Sequence, residues 1–368
     1  MIKATYIATR PQRDPEVLAE HIAREQSLET PRELISPAIS QRYLGRVLDV
    51  TELAAGRWSM RIGYPAELAS GQLGQLVHLL WGNVSFYPRI RLVDVELPRT
   101  LLDELGGPRG GIPGIREYID VHDRGLLMSV LKPRGTPPQR LADIALRFAR
   151  AGGDLLKDDQ NLVERELDVF TNRINLCAQS IEKAADITGR RCLYLPHVAG
   201  SGDWLDAQLE VVAERGLAGV VMCPWVMGLE TASNAARRHG LMWLAHPAFS
   251  GSLTEPADHG IRTAVALGTL VRLAGADISI FPGSGGRIQS RQDDSTDSCR
   301  ALTQPLGSMR PTLPCIGGGK TLDHLPQALQ ELGSQAAILV GGDLLARGDA
   351  MEADLAATIE RLETLSRE

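Results

Sequence analysis

From Leu126 onward the chain repeats one pattern eight times, and this repetition limits the possible folds more than any other feature. Short apolar runs occur at "LLMSVLKP", "DLLKDD", "RCLYLPHV", "GVVMCPW", "MWLAHP", "DISIFPG", "TLPCIGG" and "AAILVGG". Amphipathic stretches such as "QRLADIALRFARAG", "WLDAQLEVVAERG" and "TAVALGTLVRLAG" separate most of them, and "EADLAATIERLETL" follows the last. Eight strand–helix units in about 240 residues match the size of a closed barrel. A doubly wound open sheet is the rival, but eight units in one unbroken run favour closure. The expected fold class is α/β, a (β/α)8 TIM barrel over residues 119–368.

Residues 1–105 read differently. "KATYIAT" and "GRWSMRIGYP" have strand character, whereas "DPEVLAEHIAREQS" and "QLGQLVHLLWG" have helix character. They predict an N-terminal α+β domain. Between the two lies "GGPRGGIPG", with five glycines and two prolines in nine residues. It reads as part of a linker over 106–118.

A hydrophobic content of 43% and a charged content of 23% describe a globular chain with a substantial core. The net charge of −6 excludes the basic excess of a nucleic-acid binder. It leaves anionic substrates open, because a local cluster can hold them. Five scattered cysteines without a C-x-x-C pair indicate reduced thiols. No segment has the length of a signal or membrane span, so no membrane association is expected and the expected compartment is the cytoplasm.

On a barrel of this kind chemistry lies at the C-terminal strand ends. Those ends supply Lys132, Lys157 with Asp158 and Asp159, His197, Cys223, His246, the loop after Phe281, Gly317–Gly319 and Gly341–Gly342. The glycines after strands seven and eight suit a phosphate, whose oxygens need bare backbone N–H groups; simple turn chemistry is the plainer reading. Lys132, held extended by the following proline, is either a base or a rim lysine. His197 and His246 are each catalytic candidates or satisfied structural residues. "FPGSGGR" is either a lid that brings Arg287 to the phosphate or a plain glycine loop. Glycine spacing does not follow the dinucleotide-binding pattern.

Lys157 poses the sharpest question, since a buried strand rarely ends in a lysine followed by two carboxylates. Three readings compete: a buried ion pair with Asp158 or Asp159, a Schiff-base lysine, or a lysine carbamylated by CO2 that serves with Asp159 as a hard-oxygen ligand set for Mg²⁺. Spacing does not choose among them.

These residues resemble the large subunit of ribulose bisphosphate carboxylase, specifically its non-fixing RuBisCO-like (type IV) relatives. The likeness runs through "RYLGRVLDV", "GNV", "GPRGGIPG", "LKPRG", "GGDLLKDDQN", "HPAFSG", "GADISIFPGSGGR", "CIGGGKTLDHLP" and "LVGGD". It implies that Lys157 is the carbamylated lysine and Asp159 a Mg²⁺ ligand. It also implies that Lys132 drives enolisation and that His246 belongs to the active site. Gly318, Gly319, Gly341 and Gly342 would hold a phosphate. Glu25, Thr30 and Asn83 would reach the site from a partner subunit, which makes the expected assembly a homodimer.

The departures bear on function. Gln160 stands in place of the third metal ligand, a glutamate, so Mg²⁺ should bind more weakly. Pro247 replaces the arginine that holds a second phosphate, and Arg134 replaces a second lysine. The carboxylation lysine of the sixth loop has no counterpart beyond Arg287. Together these imply an enzyme that works through an enolate on a keto-sugar or keto-sugar-acid monophosphate, by decarboxylation or C–C cleavage and without CO2 fixation. The alternatives are an enolase or isomerase of methylthioribulose-type phosphates and a non-catalytic phosphometabolite-binding protein.

Overall fold

The computed structural model describes residues 1–283, 287–288 and 292–365. Ser284, Gly285 and Gly286, the centre of the expected lid, lie outside the described residues.

The N-terminal region builds a five-stranded sheet from Ile2–Thr9, Arg46–Ala54, Arg57–Tyr64 and Ile90–Glu96, with an edge strand at Gly260–Ile261. The first four pair antiparallel, and the edge strand runs parallel to Ile90–Glu96. Alternation buries Ile2, Ala4, Tyr6 and Ala8 on one face. Against this core packs the helix Pro15–Ser27, whose Asp14 cap accepts the N–H groups of Glu16 and Val17 at 2.9 and 3.2 Å. The edge strand comes from the loop after the fifth barrel strand, so it also joins the N-terminal sheet to the barrel.

All eight expected barrel strands form: Leu126–Leu131, Leu155–Asp158, Leu193–Leu195, Gly219–Met222, Met242–Ala245, Ile278–Pro282, Leu313–Gly317 and Ala337–Leu339. They are parallel neighbours in one eight-stranded sheet. Between strands three and four the ring closes through Val221, which donates to Pro196 O at 2.8 Å and accepts from Val198 N at 3.1 Å. Strands buried on both faces explain why they read as continuous apolar runs. Leu155 packs inside the barrel and Leu156 under the helices, so along this strand odd residues point inward and even ones outward.

Two local expectations are corrected. Within the predicted linker, Gly111–Ile119 is a helix whose Ile112, Ile115 and Ile119 join the interior barrel cluster. Asp277 anchors its start by accepting the N–H groups of Gly110 and Gly111, each at 2.7 Å. The glycines that suggest a break are needed for this turn: a side chain on Gly111 would collide with Pro311 O. Second, "TAVALGTLVRLAG" does not form a regular amphipathic helix; Ala264–Leu270 is π-helical and only Val271–Leu273 is α-helical. Nearly all of it is buried, and a Cβ on Gly268 would stand 2.7 Å from Ala301 Cβ. No helix among the described residues is long and apolar enough to cross a membrane.

Candidate active site

The C-terminal strand ends open into a cavity of about 530 Å³, within the usual size range of small-molecule sites. Lys132, Lys157, Asp159, Gln160, His246 and Arg287 line it, together with Gly318, Gly319, Gly341 and Gly342. The expected constellation therefore converges at one mouth. Arg134 does not line the cavity and is exposed, which removes the structural support for a catalytic role.

Strand alternation separates the charges of "LLKDD". Lys157 follows Leu155 toward the barrel axis, and Asp158 follows Leu156 outward. Asp158 is fully buried and accepts from Tyr194 Oη at 2.9 Å, from the His197 backbone N–H at 3.1 Å and from Arg173 Nη1. Arg173 in turn holds Glu164 through bonds of 2.6 and 3.0 Å. The ion-pair reading is overturned for Asp158: the carboxylate belongs to Arg173, and Lys157 Nζ donates instead to the Asp158 backbone carbonyl at 2.8 Å; Asp159, beside it in the cavity, is the carboxylate whose charge acts most strongly on Lys157. Burial pushes the Lys157 amine below its ordinary pKa, while Asp159 and Asp158 pull the other way. The carbamate and Schiff-base readings both begin with attack by a neutral amine, which this desolvation favours.

His246 accepts the Ala248 N–H on Nδ1 at 3.2 Å, so a neutral ring carries its proton on Nε2. Burial, and then Lys157, hold its pKa well below the ordinary value, which makes it a hydrogen-bond donor and not a cation. His197 and Cys223 do not line the cavity. The Cys223 sulfur stands 3.9 Å from His197 Nε2, and burial raises the thiol to about 11. His197 is lowered to about 4, chiefly by burial and against the pull of Asp158. In the unfolded chain this imidazole takes up its proton near pH 6.5. The stability it contributes is thus present above pH 6.5 and is lost as pH falls toward 4. The loss amounts to about 3 kcal/mol for a shift of this size. Urea unfolding at pH 7, 5.5 and 4 is expected to show this decline, and His197→Gln is expected to reduce it, the depressed His246 adding a decline of the same sign.

At the other end, the glycines form a cradle. Gly318 and Gly319 have φ of +97° and +101°, where other residues are strained. Arg287 and Ile288 lie across them, with Ile288 N–H bonded to Gly318 O at 2.9 Å. The lysine amine of Lys132 abuts the eighth-strand glycines: a Cβ on Gly341 would meet its Nζ at 3.2 Å. Lys320 also lines this end, its pKa lowered by burial, and escaped notice in the sequence as one more residue of a glycine loop. Ser250, Thr254 and Glu255 line the opposite wall with Pro247 and Ala248. Nothing in their spacing marked them as site residues.

Glu25, Thr30 and Asn83 do not line this chain's own cavity. Asn83 Nδ2 donates to Glu25 Oε1 at 3.0 Å, and Thr30 donates to Leu28 O at 2.8 Å.

Family models of the ribulose bisphosphate carboxylase large chain match residues 1–101 for the N-terminal domain and 111–363 for the catalytic domain. The chain belongs to this family. It is 36% identical over 337 residues to ribulose bisphosphate carboxylase-like protein 1 of Rhodopseudomonas palustris, covering 90% of this chain and 89% of that one. It is 33% identical to the 5-methylthioribulose-1-phosphate isomerase of Rhodospirillum rubrum, covering 97% and 95%. The crystal structure of a Rubisco-like protein from Rhodopseudomonas palustris superposes with a TM-score of 0.88 at 33% identity, covering 98% of this chain and 97% of that one. The N-terminal sheet and the barrel are thus the two domains of the family.

Proposed function

We propose that this chain is a RuBisCO-like enzyme that forms an enolate on a keto-sugar or keto-sugar-acid monophosphate, by decarboxylation or C–C cleavage, and that it does not fix CO2. The observation that carries this reading is the asymmetry of the cavity. One end has a glycine cradle with Lys132 and Lys320, and the opposite wall of Pro247, Ala248, Ser250, Thr254 and Glu255 has no cation. Such a site suits one phosphate and disfavours a second.

In this reading the cradle fixes the phosphate and sets the substrate carbonyl between Lys132 and His246. In a β-keto acid, the electron pair of the C–COO⁻ bond moves into the new C=C bond as CO2 leaves, and the carbonyl oxygen takes the negative charge. The His246 Nε2–H and the Lys132 ammonium stabilise that oxygen. Lys132 then gives its proton to the enolate carbon and is reprotonated from solvent. Lys157 as a carbamate, Asp159 and Gln160 fit Mg²⁺ as three oxygen donors on one side of the cavity; the free Lys157 amine would not. Such an ion, when bound, adds positive charge to stabilise the enolate oxygen. The reading includes a homodimer, in which Glu25, Thr30 and Asn83 of a second copy would complete the site.

A second reading, isomerisation of a methylthioribulose-type phosphate, is favoured by the match to the Rhodospirillum rubrum isomerase. It needs the same enolate with no loss of CO2. Incubating the protein with a β-keto-sugar-acid monophosphate and with 5-methylthioribulose 1-phosphate, with and without Mg²⁺ and bicarbonate, separates the two. CO2 release from the first supports the leading reading, and an isomer from the second supports the alternative. Turnover of neither, with ligand binding retained, leaves a binding protein.

A further inference from the structure

A phosphate cradle is a poor place for a carboxylate, yet Asp343 follows Gly341–Gly342 directly and lines the same cavity as Lys132. A free carboxylate a few ångströms from a phosphate dianion would oppose its binding. The structure shows what engages it. Asp343 Oδ2 accepts the Leu322 backbone N–H at 2.9 Å and stands 3.4 Å from Arg347 Nη2. Leu322 lies in the loop after the seventh strand, so this contact also ties the two glycine loops together. Arg347 is held in turn by Asp323 and Asp354, both at 2.9 Å. Those two carboxylates are 76% and 39% exposed, against 27% for Asp343, so water screens them better.

We propose that Arg347, outside the cavity, is a positioning residue for the substrate phosphate. It neutralises Asp343 and keeps that carboxylate committed to the Leu322 N–H, so that the two glycine loops present donors and no free negative charge to the anion. The proposal rests on the phosphate reading of the cradle. It explains how an acidic residue can follow the glycines of "LVGGD" without abolishing the site.

Calorimetric titration of inorganic phosphate into the full-length protein tests it with three variants, Arg347→Gln, Asp343→Asn and the double variant. The wild type is expected to bind. Arg347→Gln should weaken binding by about tenfold or more, as one uncompensated nearby charge would. Because asparagine keeps an oxygen for Leu322 N–H but carries no charge, the double variant should return to near the wild-type affinity. Rescue by removing a second partner is not what loss of a merely structural contact would give. Unchanged binding in Arg347→Gln, or a double variant as weak as Arg347→Gln, overturns the proposal while leaving the phosphate reading intact. A folded wild type that binds no phosphate overturns both. If Arg347→Gln does not fold, Asp343→Asn decides: affinity equal to or tighter than wild type supports the proposal, and weaker affinity overturns it.

Discussion

Lys132→Ala is expected to lower both turnover and exchange of the product α-proton with solvent deuterium by about 10³-fold, within the range typical of a lost acid–base group. The lysine directly follows the first barrel strand, lines the cavity and abuts the eighth-strand glycines, where in the proposed reading it would serve both the phosphate and the carbon beside the carbonyl. Among the described residues it makes no ion pair that would commit its amine elsewhere. Lys132→Arg separates its two roles. A guanidinium keeps the positive charge beside the cradle but does not deliver or take a proton at neutral pH. Phosphate affinity should therefore recover in Lys132→Arg while exchange stays low, as read by calorimetry and by NMR of the product in D2O. Wild-type exchange in both variants would exclude Lys132 as the proton carrier and direct attention to Lys157.

Asp158→Ala is expected to cost about 3–5 kcal/mol of stability, the usual penalty for removing one partner of a buried ion pair. The side chains of Asp158 and Arg173 are 0% and 2% exposed. Removing the carboxylate leaves Arg173 with Glu164 as its one carboxylate partner and strips Tyr194 Oη and the His197 N–H of their acceptor. A buried donor without a partner bears the full cost of its lost hydration. Urea denaturation should show the midpoint fall, whereas removing the exposed Arg42–Glu67 pair, 64% and 42% exposed, should barely move it. A midpoint as little changed for Asp158→Ala as for that surface control would mean that the network is not what secures the strand. The effect bears on function as well, because the same strand carries Lys157 and Asp159 into the cavity.

The carbamate, Mg²⁺ and phosphate readings draw on this single arrangement. Burial lowers the pKa of Lys157 and so favours its neutral amine, and Gln160 beside Asp159 would lower the charge of the proposed ligand set by one. In the proposed reading, the asymmetric cavity takes a substrate with one strongly anionic end.

Much of this was written in local sequence. Eight short apolar runs separated by helical stretches point to eight strands, because a strand buried on both faces is mostly apolar. Their polar ends name Lys132, Lys157, Asp159 and His246, because a barrel allows exposed chemistry only where its strands stop. The glycines after strands seven and eight could be read because Gly318 and Gly319 take backbone angles that only glycine accepts readily, and Gly341 stands too close to Val130 for a side chain. Other features were decided in three dimensions. Arg173, the partner of Asp158, lies on the following helix among unremarkable residues, and only packing against the barrel brings it to the carboxylate. The helix in the glycine-rich segment exists because Asp277, far along the chain, caps it and the barrel floor buries its isoleucines. Glu255, Lys320 and Arg347 have no signature either, since their roles depend on which loops face each other across the mouth. Periodicity determines elements because it reports each residue's neighbours along the chain. The partners of a buried charge and the walls of a cavity are set by contacts between distant segments, and only the folded chain brings those together.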